Sequence, residues 1–110
     1  MESINEGNYT REIHISPEVG KYLFQEILTV RLGVQPKFHS VGNTKLYFVV
    51  LEGRPGDSSF TIGENDPQDA SKDSVFIVEP GDSFTFCGIM RIIVTGFSPY
   101  QTVGYEKIQH

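Results

Sequence analysis

Short apolar stretches, broken at fairly even intervals by turn residues, set the rhythm of this chain. Ser16-Pro17, Gly33, Gly42-Asn43, Gly53, Gly56, Gly63, Pro80-Gly81, Gly88, Gly96 and Gly104 punctuate it. Such spacing predicts the strands of a β-sandwich or barrel. Residues 45–52 (Lys-Leu-Tyr-Phe-Val-Val-Leu-Glu) carry apolar side chains on both faces, which predicts a central strand buried on both sides. Residues 74–79 read as the next strand, and the Pro80-Gly81 that follows suits the two central positions of a type II turn. Residues 83–87 alternate, with Phe84 and Phe86 on one face and Thr85 on the other. Residues 89–95 set Ile89, Arg91, Ile93 and Thr95 against Met90, Ile92 and Val94. These last three segments are expected to form an antiparallel meander.

Shorter strands are expected at residues 58–62 and 101–108. Residues 10–15 alternate Arg11, Ile13 and Ile15 against Thr10, Glu12 and His14. Residues 16–33 admit two readings. Ser16 can cap a helix that has Pro17 at its first position and Gly33 past its end, with Val19, Leu23, Ile27 and Val30 near helical spacing. Gly20 weakens that helix, and residues 26–32 alternate, which favours a turn at 16–20 and a long strand at 21–32. The polar residues 1–9 read as a flexible N-terminal arm. The expected fold is thus all-β: one antiparallel, jelly-roll-like sandwich of about seven or eight strands over residues 10–110.

Composition supports this reading. Counting the sequence gives ten Val, ten Ile and seven Thr against five Leu and one Ala, with eight Phe and five Tyr. These are residues that favour pleated strands. Fourteen acidic residues against nine Lys and Arg give a net charge of −5, and the cations are scattered singly. A phosphate backbone or an anionic lipid surface needs clustered cations, so neither nucleic acid nor membrane is an expected partner. A single cysteine, Cys87, excludes an intrachain disulfide. Residues 1–8 lack the basic start and apolar run of a secretory signal, which points to the cytoplasm or to a particle assembled there.

Reactive constellations are hard to find. His14, His39 and His110 form no His-x-His or His-x3-His pair, so no metal site is expected. Glu64, Asp66, Asp69 and Asp73 lack the order of a calcium loop, and Pro67 interrupts them. Cys87, set among Phe and Ile residues beside Gly88, reads as an inert thiol. No nucleophile elbow and no phosphate-binding loop occur. Catalytic residues and cofactors are therefore not expected. Tyr9, Tyr22, Tyr100 and Tyr105 stand out instead as aromatic anchors for a protein interface.

Two resemblances follow. The acidic composition, the polar arm, and the runs at residues 92–96 and 100–106 resemble small all-β phage virion proteins, which decorate or cement capsids or sit at head–tail joints. That resemblance implies a non-enzymatic structural subunit in a virion, docking on capsid protein or on copies of itself as a homo-oligomer. The runs Leu-Tyr-Phe-Val-Val-Leu-Glu-Gly (46–53) and Val-Glu-Pro-Gly-Asp-Ser-Phe-Thr-Phe (78–86) resemble the strand–turn rhythm of cupins. Cupins hold a metal with a His-x-His, a Glu and a later His after the Pro-Gly-Asp turn. Here His39 is followed by Ser40 and Val41, and no His follows Asp82 until His110. The second resemblance accordingly implies a barrel without metal that binds a small molecule or carbohydrate.

Overall fold

The computed structural model describes residues 2–16, 22–31, 33, 35–100 and 102–108. Eleven strands follow one another: β1 (Glu2–Asn5), β2 (Tyr9–Ile15), β3 (Leu23–Val30), β4 (Phe38–Val41), β5 (Lys45–Gly53), β6 (Ser59–Ile62), β7 (Gln68–Asp69), β8 (Val75–Val78), β9 (Ser83–Cys87), β10 (Met90–Phe97) and β11 (Gly104–Lys107). They form two antiparallel sheets. The six-stranded sheet has the order β1-β2-β3-β10-β5-β8, and the five-stranded sheet the order β11-β4-β9-β6-β7. The all-β expectation holds, and no helix occurs among the described residues. The long strand expected at 21–32 is present as β3, whereas the turn expected at 16–20 lies almost wholly outside the described residues.

Alternation explains the core. Phe24, Leu28 and Val30 of β3, Leu46, Phe48 and Val50 of β5, and Ile92 and Val94 of β10 all point inward and are almost wholly buried. Phe60, Phe84 and Phe86 meet them from the other sheet. The expectation that residues 45–52 are buried on both faces is corrected here. Lys45, Tyr47, Val49 and Leu51 point outward and are only half-buried, because no layer packs over that face among the described residues. Of the stretch read as an arm, residues 2–5 pair along β2, Glu2 opposite Ile13 and Asn5 opposite Thr10.

The expected meander is also corrected. β8 pairs with β5, β9 with β4 and β6, and β10 with β3 and β5, so the chain changes sheets at each turn. The Pro80-Gly81 turn forms as expected: Gly81 has φ 91° and the Asp82 amide donates to the Glu79 carbonyl at 3.1 Å. It is a corner between sheets, however, and not a hairpin within one. The second corner, Gly88, also has a positive φ of 91°, and a Cβ there would lie 2.2 Å from the Asp57 carbonyl oxygen. Both the backbone conformation and the close approach require glycine.

Candidate active site

The two sheets approach each other along two seams, and these differ. At one, β8 and β6 are sealed by the stacked rings of Phe60 and Phe76, with centroids 4.6 Å apart. At the other, β2 and β11 leave a cleft of about 400 Å³ lined by Tyr9, Arg11, Gln35, Phe38, Tyr105 and residues of the rim.

Strand phase places each group. In β2, Tyr9 and Arg11 share the inward face with Ile13. In β3, Glu26 lies in phase with Phe24 and Leu28 and is 1% exposed. In β11, Tyr105 lies opposite Ser40 of β4 and packs against Phe38, Phe84 and Phe24. The Arg11 guanidinium sits 5.5 Å from the centre of the Tyr105 ring. Its Nε and one terminal nitrogen donate to Glu26 Oε1 at 2.8 and 2.5 Å. Its other terminal nitrogen reaches Glu6 Oε1 at 3.4 Å.

Several polar atoms remain without partners. Glu26 Oε2, the Gln35 side-chain nitrogen, the Ser40 hydroxyl and the Tyr105 hydroxyl are all buried and make no well-formed hydrogen bond among the described residues, although the Tyr105 hydroxyl is near enough to Glu26 to feel its carboxylate. Each such group costs about 1–3 kcal/mol when left unpaired. Three of the four belong to residues that line the cleft or stand directly behind Arg11.

Burial also sets the protonation states. Burial, reinforced by the nearby Glu26 charge, raises the Tyr105 hydroxyl well above the usual tyrosine range. Burial, with Glu6 adding to it, pushes Tyr9 up to about 12. Both hydroxyls therefore keep their protons near neutrality and serve as hydrogen-bond donors. Burial opposes the Arg11 charge, but Tyr105, Glu26 and Glu6 outweigh it, so the guanidinium stays protonated.

The cupin resemblance raises the question of a metal in this barrel, and the residues do not fit one. Among the described residues no cluster of three His, Cys, Asp or Glu can hold an ion. The buried carboxylate behind the cleft, Glu26, already accepts from a guanidinium whose charge repels a cation. His39 faces outward and lies 2.9 Å from Glu106 across the β4–β11 pair, His14 is exposed on β2, and His110 lies outside the described residues.

The four tyrosines singled out as anchors divide into two pairs. Tyr9 and Tyr105 turn into the cleft, while Tyr22 and Tyr100 are exposed. Arg11, Glu26 and Gln35 were not recognised as site residues from the sequence. A signal for two of them existed: each is a charged residue in phase with the apolar side of its own strand.

Chains of known structure share this architecture. Pac13 from Streptomyces, solved with uridine and described as a nucleoside dehydratase, matches with a TM-score of 0.76 and 14% identity, over 98% of this chain and 84% of that one. A double-stranded β-helix domain protein from Klebsiella pneumoniae matches with a TM-score of 0.72 and 12% identity, over 97% of this chain and 90% of that one. Ectoine synthase from P. lautus matches with a TM-score of 0.71 and 9% identity, over 88% and 69%. No protein-family model matches the chain, and no curated protein matches it in sequence. The fold is therefore the cupin-like double-stranded β-helix.

These comparisons correct two expectations. The virion-subunit reading, with its capsid and decoration roles, finds no support in the structures named above. The reading as a non-enzyme is overturned because chains of this fold include a nucleoside dehydratase and an ectoine synthase. Composition misled here for a physical reason: a barrel hides its polar groups inside, where spacing along the chain does not reveal their convergence.

Proposed function

We propose that this chain is a cupin-like module that binds a small polar molecule in the cleft between β2 and β11. The observation that carries the reading is the pair of buried polar groups on Gln35 and Tyr105, residues that line a cleft with aromatic walls. A bound molecule offering acceptors to Gln35 and Tyr105 would satisfy them. The cleft's volume of about 400 Å³ is in the usual range of small-molecule sites. The Tyr105 hydroxyl, which keeps its proton, can donate a hydrogen bond to an oxygen of such a molecule and fix its orientation. Fold neighbours named for a nucleoside dehydratase and an ectoine synthase support a small-molecule role.

A thermal-shift screen of the purified chain against monosaccharides, nucleosides and small hydroxylated amides tests this. At least one compound should raise the melting temperature of the native chain and fail to do so in Tyr105→Phe. If no compound shifts the native chain, or if Tyr105→Phe responds equally, the reading is wrong.

A further inference from the structure

An arginine on the floor of a small-molecule cleft is ordinarily an anion receptor, because its fork matches a phosphate or carboxylate. In Arg11 much of that capacity is already committed, and carboxylates offset its charge. Two of its nitrogens are taken up by Glu26 Oε1 and the third faces Glu6 Oε1. Glu26 is buried behind Arg11 and holds its charge there. The cleft is lined by two carboxylates (Glu6 and Glu106) and two cations (Arg11 and Lys107), and the buried Glu26 pairs with Arg11 from behind. Lys107 is exposed, where solvent and salt screen its pull.

On the reading that this cleft binds a ligand, we propose that it selects uncharged, hydroxyl- or amide-bearing molecules and rejects their phosphorylated or carboxylated counterparts. The neutral ligand accepts from the Gln35 amide and the Tyr105 hydroxyl. An added anionic group meets Glu6 and Glu106, and an arginine whose charge Glu26 already offsets from behind. Discrimination therefore arises from repulsion built into the site as well as from its attractive contacts.

The test uses matched probes: uridine against uridine 5′-monophosphate, glucose against glucuronate, and inorganic phosphate alone. Binding to the full chain is followed by NMR at the Arg11 and Tyr105 signals. The neutral member of a pair should bind about tenfold or more tightly than the anionic one, and inorganic phosphate should not perturb Arg11. In Glu6→Gln, whose exposed position spares the fold, the gap should narrow and phosphate should begin to perturb Arg11. Glu26→Gln should narrow it further if that variant folds. An anionic probe that binds the native chain as tightly as its neutral partner overturns the selectivity while leaving the cleft a ligand site. Phosphate binding at Arg11 of the native chain overturns it as well. Failure of every probe, neutral and anionic, to perturb the cleft overturns both the selectivity and the binding role beneath it.

Discussion

The two seams of this barrel are built from the same alternating strands, yet one is sealed and the other open. Where β8 meets β6, Phe60 and Phe76 stack, and Phe48 and Phe84 close in behind Phe60 at 4.7 and 5.9 Å. Where β2 meets β11, the same aromatic ladder continues through Phe38 and Phe86 to Tyr9 and Tyr105, and there it gains hydroxyls, a guanidinium and a carboxylate. The difference shows how the interior divides its tasks. Close-packed rings stabilise one side by burial and dispersion. The other side keeps polar atoms unpaired at a cost to stability, which is the usual mark of a functional site.

Breaking the sealed seam should have the largest effect. Phe60→Ala, which empties a fully buried site, should lower stability by about 3–5 kcal/mol in a denaturant titration. Next comes the ion pair of the open seam. Arg11→Met strands the buried Glu26 charge and should cost about 3 kcal/mol, while the double variant Arg11→Met/Glu26→Leu should recover most of it. If the double variant is no better than the single, the pair contributes net stability and the contrast between seams weakens.

Alkaline pH sharpens the comparison. Tyr9 titrates at about 12 in the folded chain against 10.0 for the free side chain. Between those values the unfolded chain releases a proton that the folded chain keeps, so stability is intact below pH 10.0 and falls as pH rises toward 12. The loss from Tyr9 should be about 1–3 kcal/mol, read as melting temperature against pH, and Tyr9→Phe should make that limb shallower, with the raised Tyr105 hydroxyl carrying the rest. The smallest change in stability is expected from Tyr105→Phe. Removing an orphaned hydroxyl should leave the melting temperature unchanged or raise it, within about 1 kcal/mol, although the ligand response disappears.

Much of the fold was legible because alternation reports which face of a strand is buried. Phe84 and Phe86 declare β9, and the Pro80-Gly81 pair declares its preceding turn. What alternation does not report is the neighbour: β9 pairs with β4 and β6, strands far away along the chain. The short β4, β7 and β1 carried too few residues to show a period. The site was legible in part. Arg11 beside Ile13, and Glu26 between Phe24 and Leu28, are charges on apolar faces, and each needs a partner. That they are each other's partner follows from the β2–β3 register, where Arg11 lies opposite Leu28 and Ile13 opposite Glu26. Gln35 gave no signal, since it stands outside any strand.

The central claim is that this molecule works through the open seam of its barrel and not through its outer surface. NMR chemical-shift mapping with a mixture of neutral sugars and nucleosides tests it most directly. The account predicts that perturbed signals cluster at Tyr9, Arg11, Gln35 and Tyr105. Perturbations confined to the exposed Val75, Ile77 and Phe97, or none anywhere, would contradict it.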